Sequence, residues 1–130
     1  MIDFQLDPRS GLPTYLQLTQ QVRQALRLGV LSPGDQLPTA REVVAKLAIN
    51  PNTVLKAYSE LEHARLVEAR PGLGTFVSAT VDLPRVTGQG RLARELSRWL
   101  AAAREAGLDA EDVEALFRAA VRVGFSEGVA

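Results

Sequence analysis

The chain has 130 residues, 46% of them hydrophobic, enough for one ordinary domain with a packed core or a small domain with an appendage. It has no cysteine, which excludes disulfides and thiolate metal sites and agrees with a reducing, cytoplasmic setting. Fifteen basic and fifteen acidic residues cancel, so any affinity for a polyanion has to come from local placement rather than from net charge.

The N-terminal stretch MIDFQLDPRSG has neither the basic head nor the apolar run of a secretory signal, and nothing approaches the roughly 18 apolar residues of a membrane span. Ile2–Asp7 alternates briefly and predicts a short strand, followed by a turn over Pro8–Gly11. Pro13 marks a helix start. Tyr15, Leu18, Val22, Ala25 and Leu26 then recur on one face until Gly29. Ser32-Pro33-Gly34-Asp35 separates this helix from the next.

Thr39-Ala40-Arg41-Glu42 predicts a capping box, with the threonine hydroxyl accepting from the Glu42 N–H and the Glu42 carboxylate reaching the Thr39 N–H. Asn50 is the expected cap of the following helix, Pro51 suits its first position, and Ile49 with Val54 would staple the entry. Two helix starts this close fit a helix-turn-helix. Leu66–Arg70 and Thr75–Val77 are strand candidates around a Pro71–Gly74 tip, the wing of a winged helix-turn-helix.

Residues 79–90, with Pro84, Gly88 and Gly90, predict a linker between a head over 1–78 and a helical tail over 91–130. In the tail Leu92, Leu96, Trp99 and Ala103 form one apolar stripe. After Gly107 and a cap at Asp109, Val113, Leu116 and Phe117 form another. These seven residues are the expected surface for a partner helix. The fold class expected is therefore mainly α with a small β-wing, carrying a two-helix tail.

On the second helix of the motif, Val54, Ala57, Tyr58 and Leu61 face inward. Asn52 and Lys56 lie on the opposite side and Thr53 on a flank. Asparagine pairs with adenine, threonine touches thymine or donates a hydrogen bond, and lysine donates to guanine or phosphate. All three lie in the half of the helix that enters the major groove. Arg41 sits in a first helical turn, against the dipole, so it calls for an external phosphate or a surface ion pair; Lys46 faces the same choice. Arg70 and the amides near Gly72 would lie on the backbone or minor groove.

No catalytic constellation stands out. The single histidine, His63, is an exposed helix position, and Asp109, Glu111, Asp112 and Glu114 gather where a helix dipole favours acids. No enzyme activity, metal or cofactor is expected, and no dedicated effector pocket. The rival reading is a winged-helix interaction module that never touches DNA.

Residues 2–78 resemble the GntR family of bacterial transcription regulators. The likeness runs through Pro13-x-Tyr15-x-Gln17, Pro33-Gly34-Asp35-x-Leu37-Pro38-Thr39-x-Arg41, the Thr53-Val54…Ala57-Tyr58…Leu61 core and Gly72-x-Gly74-Thr75-Phe76-Val77. INPNTVLKAYSELE and the tail are similar to the YtrA subfamily, whose two C-terminal helices serve dimerisation, and this implies a two-helix dimerisation tail with those seven residues as its dimerisation surface. The resemblance implies a homodimer on a palindromic operator, a repressor of a transporter operon, with Arg41 on phosphate or base, the recognition helix starting at Asn50 to Thr53, and Gly72 in the wing. The chain departs from the family pattern at Pro51 and Leu55, where many members carry arginine, and at Arg65, where glycine is usual.

Overall fold

The computed structural model describes residues 2–81 and 88–126. The chain forms two compact units, Met1–Val86 and Thr87–Ala130. The first contains α1 (Thr14–Arg27), α2 (Ala40–Leu47), α3 (Pro51–His63), β1 (Val67–Arg70) and β2 (Gly74–Val77); the second contains α4 (Gln89–Glu105) and α5 (Ala110–Gly124). Of the expected linker, residues 82–87 lie outside the described residues, Val81 packs against the core of the first unit, and Gln89 and Gly90 already belong to α4, because a glycine is tolerated in a first helical turn.

The first unit closes around one core. Leu18, Val22, Ala25 and Leu26 of α1 meet Val54, Ala57, Tyr58 and Leu61 of α3, with Val43, Val67 and Val77 completing the packing. Each helix contributes the stripe predicted from its spacing, because burying that face is what stabilises short helices in water. Both expected caps on the motif form: the Thr39 hydroxyl accepts from the Glu42 N–H at 3.1 Å and the Asn50 amide oxygen from the Asn52 N–H at 2.8 Å. The predicted reciprocal arm at Thr39 differs. The Glu42 carboxylate accepts from the threonine hydroxyl at 3.2 Å rather than from its backbone N–H.

The expected N-terminal strand does not form. Ile2 and Phe4 are buried, but the polar backbone after them is satisfied by two glutamines one turn apart on α1. Gln21 accepts from the Gln5 N–H at 2.9 Å and donates to the Gln5 carbonyl at 2.5 Å. Gln17 accepts from the Asp7 N–H at 2.9 Å and donates to the Asp7 carbonyl at 3.1 Å. A carboxamide has the donor and acceptor of a peptide group, so these side chains stand where a neighbouring strand would be.

The wing pairs β1 with β2 antiparallel, from Val67 opposite Val77 to Arg70 opposite Gly74. At its tip the Leu73 N–H donates to the Arg70 carbonyl at 2.9 Å, with Pro71 and then Gly72 (φ 75°) between, as a type II turn requires. A third segment, unseen in the sequence, joins the sheet. Gln36 bridges Phe76, the Leu37 N–H donates to the Thr75 carbonyl, and the Gln36 side chain donates to the Leu73 carbonyl. The loop before α2 is thereby stitched to the wing.

Two non-glycine residues take left-handed backbone, Ala48 (φ 54°) after α2 and Arg65 (φ 62°) after α3. Around Arg65 the Leu66 N–H donates to the Leu61 carbonyl and the Arg65 N–H to the Glu62 carbonyl, the paired bonds of a Schellman cap. The end of α4 repeats that pattern with Gly107 (φ 92°) in the same position. Arginine pays a Cβ clash there that glycine does not. Arg65→Gly is expected to raise stability by about 0.5–1 kcal/mol, read as a higher midpoint in thermal unfolding of the whole chain. An unchanged midpoint would mean that the arginine side chain makes up the strain.

Candidate nucleic-acid interface

The motif is built by two short helices and a tight corner. Ala48 ends α2 in the left-handed region, Ile49 packs on the core, and Asn50 caps α3. The corner leaves one side of α3 bare. Asn52 and Lys56 are exposed and Thr53 is half-buried at their flank, while Val54, Ala57, Tyr58 and Leu61 are buried behind them. Asn50 is exposed, but its side-chain oxygen is engaged in the cap.

Each cation of the sequence reading has a different surrounding. Arg41 is exposed in the first turn of α2 and, among the described residues, its side chain makes no ion pair or hydrogen bond. The adjacent acid, Glu42, is occupied by the Thr39 hydroxyl. A free guanidinium beside the positive end of a helix dipole is suited to an anion from outside the chain.

Lys46 instead pairs with the Asp3 carboxylate, an ion pair between two exposed side chains that contributes little in water and is readily exchanged. The Arg70 guanidinium lies 4.4 Å from the centre of the Phe76 ring, with one nitrogen 2.8 Å from Glu68. It is thus displayed on the wing in a fixed pose, with Glu68 competing for it. Gly72 is exposed at the tip beside Leu73, which leaves 67% of its surface open.

The Lys56 ammonium sits 4.0 Å from the centre of the Tyr15 ring, on α1. Tyr15, on the apolar face expected of α1, is half-buried against the core and steers the lysine toward the α1 edge of α3. An exposed cation–π contact contributes about 0.5–1 kcal/mol, enough to bias a flexible side chain but not to withhold it from a phosphate. Three further residues were missed or undervalued in the sequence. Leu55, 54% exposed on α3, and Leu73 are apolar groups open to a thymine methyl or a sugar, and Tyr15 orients Lys56. Exposure is the signal for the leucines, and periodicity alone does not report it.

The second unit is two helices, α4 and α5, joined by a short turn. The Asp109 side chain and the Asp112 N–H bond at 2.8 Å, and Asp112 returns a bond to the Asp109 N–H at 3.0 Å, so the acidic cluster is a reciprocal cap. Leu92, Leu96, Trp99, Leu116 and Phe117 of the expected dimerisation set are each at least 40% exposed. Val113 is half-buried, and Ala103 is buried inside its own unit, where its carbonyl accepts from Leu108 as the chain folds back. Ala103 therefore presents almost no surface to a partner, contrary to its place in the expected set, because it sits next to the turn that ends α4. Leu100 and Val121, 38% and 41% exposed, extend the open apolar surface beyond the predicted residues. Among the described residues no cluster of His, Cys, Asp and Glu has the makings of a metal site, and no helix is long and apolar enough to cross a membrane.

The sequence profile of the family described as "Bacterial regulatory proteins, gntR family" matches residues 14–77. The HTH-type transcriptional repressor YtrA of Bacillus subtilis is 39% identical over 108 residues, covering 82% of this chain and 83% of that protein. The solved structure of YtrA from Sulfolobus acidocaldarius, a GntR-family transcription factor, superposes with a TM-score of 0.55 at 30% identity, over 75% of this chain and 97% of that one. The AraR DNA-binding domain, solved in complex with operator ORX1, superposes with a TM-score of 0.51 at 28% identity, covering 56% of this chain and 90% of that domain. The chain belongs to the gntR family of bacterial regulatory proteins: it is a transcriptional regulator of the YtrA-like kind and not an enzyme.

Proposed function

We propose that the protein is a cytoplasmic repressor that binds a palindromic operator as a homodimer and blocks transcription of an operon, one for a transporter being the case the resemblance favours. Residues 1–78 are the reading head, the stretch from 79 to the start of α4 at Gln89 is the connection, and α4 with α5 is the dimerisation tail. The observation that carries this is the bare N-terminal half of α3, with Asn52, Thr53 and Lys56 outward and an unpaired Arg41 in the same head. Asn52 and Thr53 read base edges, with Lys56 on a base edge or phosphate at the α1 side. Arg41 holds the backbone on one side of the helix, and Arg70 with the Gly72 tip holds it on the other. Asn50 contributes through its amide nitrogen, and Lys46 by exchanging Asp3 for phosphate.

The charge balance supports the dimer. The head carries 8 basic and 7 acidic residues, a net +1 over residues 1–78. One head thus has little long-range attraction for DNA, and two heads on half-sites about 34–36 Å apart would combine their local contacts. Electrophoretic shift on the promoter of its own operon tests this. A specific complex with two chains per operator is expected, and a folded dimer that shows no sequence preference at moderate salt overturns it.

A further inference from the structure

The tail carries a self-complementary pattern on α5. Ala110, Val113, Phe117, Ala120 and Gly124 follow one another at spacings of three, four, three and four residues, the seam of a helix that packs against another helix. Yet α5 has no buried residue among those described. The same seam borders an open groove lined by Leu96 and Leu100 of α4 and by Phe117 and Val121 of α5, with Glu114 and Arg118 on its rim. Among the described residues, neither of these two charged side chains makes an ion pair, although four-residue spacing would allow one within the helix.

We propose that the occupant of this groove is α5 of a second copy, running antiparallel, with Glu114 of each chain facing Arg118 of the other. This rests on the homodimer reading above and adds its geometry. The direction follows from the rim. Glu114 and Arg118 edge the same side of the seam, and same-side rims of two identical helices face each other only when the helices run in opposite directions. The register follows from the charges. A two-fold axis at the height of Leu116 and Phe117 brings Glu114 of one chain and Arg118 of the other within about 1.5 Å of the same level along the helix. The symmetry makes the contact twice, and each copy closes the other's apolar face. A parallel α5 pair, or a partner without this charge pattern, leaves both rims unmatched.

The test uses the full chain and two charge reversals, Glu114→Arg and Arg118→Glu. Each alone sets like charges against each other twice per dimer, and dissociation by sedimentation equilibrium should be about tenfold or more easier than for the unaltered chain. An equimolar mixture of the two restores both pairs. Native mass spectrometry of the mixture should therefore show heterodimer well above the statistical half. Circular dichroism of each variant separates lost helix from lost pairing, and the double variant E114R/R118E, which keeps complementarity within one sequence, should dimerise like the parent. If the unaltered chain is a monomer, the homodimer reading itself fails. If it is a dimer but the mixture gives a statistical distribution, the homodimer stands and the α5 pairing is overturned.

Discussion

Arg41→Ala is expected to lower affinity for every DNA sequence by about a hundredfold at moderate salt, without changing which sequence is preferred. The reasoning starts from its isolation: the side chain is exposed and makes no ion pair or hydrogen bond among the described residues, so its whole charge is available to a phosphate. A hydrogen bond to a charged group contributes roughly 1.5 kcal/mol or more, and a dimer makes the contact twice, so about 3 kcal/mol is at stake. Each neutralised phosphate also adds about 0.9 to the slope of log affinity against log salt, so the variant's slope should be shallower by close to two. Titrations at several salt concentrations read both quantities. An unchanged slope would remove Arg41 from the phosphate contacts.

Asn52→Ala is the matched contrast. A bidentate asparagine–adenine pair discriminates by about 1–3 kcal/mol, so its loss should relax preference at one base pair in each half-site and leave the salt slope where it was. If both variants lose affinity uniformly, the division between groove reading and backbone holding is wrong. Arg70 should show a smaller effect than Arg41, because engaging a phosphate means giving up or sharing Glu68 at 2.8 Å.

Much of the head is legible in the sequence because its signals are local. A cap needs a side-chain oxygen at one position and an N–H two or three residues on, and Thr39 and Asn50 in the head meet that condition, as does Asp109 in the tail. The buried stripes of α1 and α3 follow from spacing alone. What periodicity does not carry is the identity of a distant partner. Gln17 and Gln21 read as ordinary polar helix positions until Gln5 and Asp7 lie beside them, and alternation over Ile2–Asp7 then imitates a strand. The third segment of the wing rests on Gln36, which has no strand pattern around it. At the interface the same gap opens, since the type and spacing of Lys46, Lys56 and Arg70 identify them as cations but do not reveal Asp3, Tyr15 or Phe76 beside them. Arg65 falls between the two cases. Its departure from glycine points to a backbone requirement, and φ of 62° shows that the requirement is met by strain rather than by a different turn.

Tyr58 ties the recognition helix to the start of α2, and removing its hydroxyl should cost more folding stability than any surface change discussed above. The phenol is buried and donates to the Pro38 carbonyl at 2.5 Å, immediately before the Thr39 cap. Tyr58→Phe keeps the ring and its packing but leaves that carbonyl without its donor in a place water scarcely reaches, at a cost of about 2 kcal/mol. Burial, and then the nearby Glu42 carboxylate, push the phenol's pKa well above its ordinary value near 10. The folded state therefore holds this proton more tightly than the unfolded chain does. The stabilisation is complete below about pH 10 and declines as pH rises beyond it, when the unfolded chain ionises first. Urea unfolding at pH 8 should show the variant less stable by the full amount. At pH 11 the gap should narrow, because the parent loses stability through this group and the phenylalanine chain does not. Parallel pH profiles for the two proteins would show that the hydroxyl is not the buried donor on which the position of α3 depends.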